Sequence, residues 1–93
     1  MFIQTEETPN PATLKFLPGK ILLENGTLEF KTQEEATTNS LASMLFSDKN
    51  VKSVFIGKDF LTVTKSESVE WEILKPTLMS SILDYFASGG EVE

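Results

Sequence analysis

Cysteine, histidine and arginine are all missing from the 93 residues. Without thiols there is no disulfide, no thiolate nucleophile and no cysteine metal site. Without imidazole there is no histidine base or metal ligand, and without guanidinium no bidentate clamp for phosphate. Long apolar runs are missing too: none approaches the ~18 residues that a membrane-crossing helix needs. Basic charge is scarce, with 8 lysines against 14 Asp and Glu and a formal charge of -6. That balance repels phosphate backbones and anionic lipid, so neither nucleic acid nor membrane is expected as a partner. The first residues, Met1-Phe2-Ile3-Gln4-Thr5-Glu6-Glu7, lack a basic region and read as neither a secretory signal nor a transit peptide. The expected location is the bacterial cytoplasm, with the mitochondrial matrix as the alternative.

What is present is ordinary for a folded domain. Apolar residues make up 40% and charged ones 24%, which suits one compact unit with a single core. Phe2 to Glu6 reads as a first strand. Thr8-Pro9-Asn10-Pro11 then interrupts regular structure, since two prolines fix φ and remove two donors. Thr13-Leu14-Lys15-Phe16-Leu17 is a second strand, closed by a turn at Pro18-Gly19 and expected to pair antiparallel. Ile21-Leu22-Leu23 and Thr27-Leu28-Glu29-Phe30 flank Glu24-Asn25-Gly26, a hairpin signal that predicts a short edge piece.

Thr32 with Glu35 has the spacing of a capping box, which predicts a helix from Gln33. Asn39-Ser40 interrupts it, with Ser40 as a second N-cap, and Leu41, Met44 and Leu45 share one face beyond. Val51-Lys52-Ser53-Val54-Phe55-Ile56 and Phe60-Leu61-Thr62-Val63-Thr64 are strands joined tightly through Gly57-Lys58-Asp59. From Glu70 the period becomes helical, with Leu74, Leu78, Ile82 and Phe86 four apart. Pro76 sits inside that helix or at its first position. Ser88-Gly89-Gly90 ends it. The expected fold is α+β with two layers: an antiparallel sheet of about four strands plus the edge hairpin, and two helices on one face. Trp71, Phe46 and Phe86 are expected to anchor the core.

Few residues carry chemistry. Thr32, Glu34 and Glu35 could be a carboxylate cluster, but helix capping explains them better. Lys52-Ser53 and Lys65-Ser66 are neighbours on strands, so each pair points to opposite faces and makes no dyad. Gly89-Gly90 follows a helix, whereas phosphate sites precede one. Without arginine, and with this charge, the aromatics serve packing rather than base stacking. The segment from Thr8 to Pro11 stands out, because a stiff loop loses little entropy on binding. No catalytic residue and no metal ligand is expected.

Several stretches together resemble the N-terminal domain of the Nfu family of NifU-like iron–sulfur scaffold and carrier proteins. They are Met1-Phe2-Ile3-Gln4-Thr5 with Thr8-Pro9-Asn10-Pro11, Leu14-Lys15-Phe16 with Pro18-Gly19, and Val51 to Phe55 through Gly57, Asp59-Phe60 and Thr62 to Lys65. Trp71, Leu74-Lys75-Pro76 and Phe86-Ala87-Ser88-Gly89 complete the set. The pattern departs from the family at Lys58, a turn tip that tolerates exchange. The resemblance implies an accessory domain over 1–88, with 89–93 as the start of a linker to a second domain. In such proteins a Cys-x-x-Cys pair in that second domain holds a [4Fe–4S] cluster between two protomers. No cluster ligand transfers to this chain, which is expected to bind no cofactor itself. The implied function is non-enzymatic: recognition of client or assembly proteins, by a domain monomeric on its own. The alternative is a structural or generic protein-binding module. The expected contact surface is the Pro9, Asn10, Pro11 loop with the Gly57, Lys58, Asp59 turn, and acidic patches would steer basic partners.

Overall fold

Alternating apolar residues on four strands and one long helical stripe set the layers. The computed structural model describes residues 2–92, so Met1 of the first stretch and Glu93 of the expected linker lie outside the described residues. Strands β1 (Gln4–Glu7), β2 (Thr13–Leu17), β3 (Leu28–Phe30), β4 (Val51–Ile56) and β5 (Leu61–Lys65) form one sheet in the order β1-β2-β5-β4-β3. Every pairing is antiparallel. Helices α1 (Gln33–Ala36), α2 (Ser40–Phe46) and α3 (Trp71–Ala87) complete the α+β fold.

Leu14 of β2 lies opposite Val63, and Phe16 opposite Leu61; Val54 and Ile56 of β4 meet the same two β5 residues from the other side. All six are buried and form the sheet's half of the core. An irregularity in the β4–β5 register falls between Val51 and Ser53. It lets Val51 and Val54, three apart, both turn inward, which strict alternation would forbid. The opposite sheet face carries Glu6, Lys15, Thr62 and Phe55, which the register places side by side. On that face Lys15 is 3.8 Å from the Glu6 carboxylate and lies 4.6 Å from the centre of the Phe60 ring, which stacks on Phe55.

α3 buries Leu74, Leu78, Ile82 and Phe86, the stripe its period predicts. It starts at Trp71 after Glu70, and Pro76 lies inside it on the exposed side. Gly89, at φ +89, turns the chain back, the Gly90 amide donates to the Tyr85 carbonyl, and the Tyr85 hydroxyl donates to the Glu91 carbonyl. The returning tail is held by Asn39, whose Nδ2 donates to the Val92 carbonyl at 2.9 Å.

Six details differ from expectation. Ile21-Leu22-Leu23 forms no strand: its Leu22 and Leu23 amides donate to the Lys58 carbonyl, and both side chains enter the core. The turn at Gly26, φ +72, is real, but β3 beyond it pairs with β4 rather than with the chain before it. The sheet therefore has five strands among the described residues, with β3 at one edge on its own rather than as half of a hairpin around Gly26. The interruption expected at Asn39-Ser40 is present, spanning Thr37–Asn39, and it separates α1 from α2, so the described residues form three helices where the expected fold counted two. Asn39, not Ser40, caps α2, because its Oδ1 takes the Ala42 amide at 3.0 Å while Ser40 is exposed. The capping box of α1 closes one residue early: Thr32 Oγ1 accepts from the Glu35 amide, but Glu35 Oε1 accepts from the Lys31 amide at 2.7 Å. Finally, Phe46 and Phe86 are buried as core anchors, whereas Trp71 is half-exposed at the rim.

Candidate partner-binding site

The connection from β1 to β2 is ordered by its own side chains. Asn10 Oδ1 accepts from the Ala12 amide at 2.9 Å, and the Asn10 carbonyl accepts from the Thr13 amide at 2.9 Å. The Thr8 hydroxyl takes the Asn10 amide at 3.2 Å and lies 2.9 Å from the Asn10 and Thr13 carbonyls, either of which can accept its proton. Short polar side chains turn backbone in this way, and Pro9 and Pro11 remove further freedom. Pro9, Asn10 and Pro11 are exposed all the same. The loop is tied to α3 by Trp71, whose Nε1–H donates to the Pro11 carbonyl at 3.1 Å while its ring meets Phe16 edge-on, centroids 6.3 Å apart.

Between this loop, the inner side of β1 and the first turns of α3 lies a groove of ≈ 740 Å³. Thr5 and Glu7 border it from β1, Pro9 and Pro11 from the loop, and Trp71 and Glu72 from α3. It joins the apolar surface of Pro9, Pro11 and Trp71 to the carboxylates of Glu7 and Glu72.

The Gly57-Lys58-Asp59 turn is ordered differently. The Gly57 amide donates to the Phe60 carbonyl at 2.9 Å, and the Leu22 and Leu23 amides hold the Lys58 carbonyl. Lys58 and Asp59 are exposed, and Asp59 borders a second hollow of ≈ 570 Å³ with Phe2 and Ile21. The loop and the turn are not neighbours. β2 begins beside Thr64 and ends beside Leu61, so Pro11 precedes one end of that strand and the β4–β5 turn lies at the other. The expected single surface is two surfaces. Glu72, Lys75 and Trp71, which complete the groove, were not singled out as binding residues; their approach to Pro11, 60 residues away, has no local signal.

Among the described residues no group of three or more His, Cys, Asp or Glu side chains could hold a metal ion. No helix among them is long and apolar enough to cross a membrane. Residues 3–89 match the family model described as the N terminal of the scaffold protein Nfu/NifU.

The chain belongs to the Nfu N-terminal family. The mitochondrial NFU1 iron-sulfur cluster scaffold homolog of Homo sapiens is 53% identical over 90 residues, which is 96% of this chain and 35% of that protein. The mitochondrial NifU-like protein 4 of Arabidopsis thaliana is 46% identical over 89 residues, 96% of this chain and 31% of that protein. This Nfu domain thus spans about a third of the length of those relatives. Among solved structures, the solution structure of a NifU-like protein from Saccharomyces cerevisiae matches with a TM-score of 0.81 at 30% identity, over 98% of this chain and 82% of that one. A Staphylococcus aureus crystal structure matches with a TM-score of 0.69 at 24% identity, over 88% of this chain and 99% of that one, and shares the fold.

Proposed function

We propose that this Nfu domain is a non-enzymatic recognition module for iron–sulfur cluster assembly or delivery, contacting client or assembly proteins and binding no cluster itself. The observation that carries this reading is chemical. A domain from a family of cluster scaffolds contains neither cysteine nor histidine, and clusters are held by thiolates with occasional imidazoles. Its contribution therefore lies in contacts with proteins, where a second binding site beside a cluster-bearing unit raises effective concentration. The pre-ordered Thr8–Pro11 loop supports a recognition role, because little conformational entropy is lost when it binds. The Gly57–Asp59 turn at the far end of β2 offers a second, separate contact. Relatives named as mitochondrial favour the matrix over the bacterial cytoplasm as the place of action.

The second reading is a structural module with no partner, a role that one continuous core shared by sheet and helices would serve by itself. Titrating the ¹⁵N-labelled chain with apo forms of [4Fe–4S] proteins and with assembly proteins separates the two. Recognition predicts localised shift changes around residues 8–11 and 71–75, the domain staying monomeric by sedimentation. No localised change with any partner would leave the structural module standing instead.

A further inference from the structure

The helical layer does not reach the edge of the sheet. Register pairs Thr5 with Phe16 and Glu7 with Leu14, so Thr5 and Glu7 share the helix-facing side with two buried residues. Thr5 is nevertheless only half-buried and Glu7 is exposed. The floor under β1 is open, and the groove of ≈ 740 Å³ occupies the gap between β1 and α3. β1 is also the last strand in the order, so one side of it has no neighbour. An edge strand running beside a helix, with a hollow between them, can accept an extended peptide as a further strand: main-chain bonds supply affinity and the hollow reads alternate side chains. The four residues of β1 offer about 13 Å of edge, enough for a short segment.

Charge selects the occupant. Glu7 and Glu72 border the groove together with one cation, Lys75. Glu67 and Glu70 lie just across Trp71, beside Lys65. None of these four carboxylates has an ion pair among the described residues; the pair at Lys15–Glu6 belongs to the opposite sheet face. A second copy of β1 is a poor occupant, because full antiparallel overlap, which sets Gln4 against Glu7 and Thr5 against Glu6, gathers four carboxylates on two strands that bring no cation of their own. A basic segment meets the reverse situation, and the half-exposed Trp71 ring adds a face on which a cation can rest.

We propose that β1 and the groove beside α3 bind an extended segment of a partner protein that alternates apolar and basic residues, added to the sheet as a sixth strand. This deepens the recognition reading by naming the ligand class of the same site. The test uses an acetylated, amidated heptapeptide alternating valine with lysine, titrated into the ¹⁵N-labelled chain. Shifts are expected at Gln4–Glu7 and at Trp71 to Lys75, and the β1 amides that point away from β2 should exchange about tenfold more slowly at ~90% occupancy. A peptide with glutamate for lysine should bind at least tenfold more weakly. So should one N-methylated at alternate residues in one of the two phases, which removes the main-chain donors. Glu7→Lys with Glu72→Lys, both at exposed positions, should weaken the basic peptide at least tenfold with an unchanged spectrum elsewhere. Equal binding of acidic and basic peptides, indifference to N-methylation in both phases, or shifts centred elsewhere would overturn the proposal. Partner proteins that bind the wild type and the doubly substituted chain alike would overturn this site while leaving recognition intact. Peptide binding here without any partner binding would do the opposite.

Discussion

Gly57 shows how a single missing side chain shapes a surface. A Cβ there would fall 2.4 Å from the Phe60 ring, far inside contact distance. The ring folds over the glycine and so reaches Phe55, 6.1 Å away between centroids, and the Lys15 ammonium. Gly57→Ala is expected to push the ring outward and lose that stacking, costing about 1–2 kcal/mol. Urea unfolding measures the loss, and in a Phe60→Leu background it should shrink to less than half, since the two residues share one space. Gly57 and Phe60 were both visible in the sequence as turn and strand start. The reason a side chain at 57 is costly was not, because it depends on where the aromatic ring folds.

At the scale of elements, β4, β5 and α3 were legible because each carries a strong periodic signal of its own. The errors fall where a segment takes its structure from distant partners. Ile21-Leu22-Leu23 has the composition of a strand, yet the Leu22 and Leu23 amides are satisfied by the Lys58 carbonyl, more than 30 residues on. The break between α1 and α2 was visible, but its cap was misplaced by one residue because Asn and Ser are both good caps. Asn39 does more than cap: with Oδ1 on Ala42 and Nδ2 on the Val92 carbonyl it joins α2 to the returning tail. Asn39→Ala should lose both bonds and about 1–2 kcal/mol in urea unfolding. Asn39→Asp keeps the cap oxygen but loses the donor. It should leave α2 intact by secondary chemical shifts while the Val92 resonance moves toward its unfolded position and its ¹⁵N relaxation rises in mobility.

Taken as a whole, the molecule carries its chemistry by omission, and that much could be read before any coordinates. Reconstitution of the purified chain with ferrous iron and sulfide under reducing conditions should leave substoichiometric iron after desalting and no cluster absorption; a stoichiometric, coloured product would contradict the functional proposal. The stiff Thr8–Pro11 loop was legible from its prolines. The groove was not, since it arises from the sheet order and from the way α3 stops short of β1. The single tryptophan of the chain stands where these features meet, its indole N–H on the Pro11 carbonyl and its ring against Phe16. The protein thus contains a built-in fluorophore at the seam of loop, helix and core. Its emission can follow denaturation and the arrival of a guest in the same cuvette, with no dye attached and no second indole to confuse the signal.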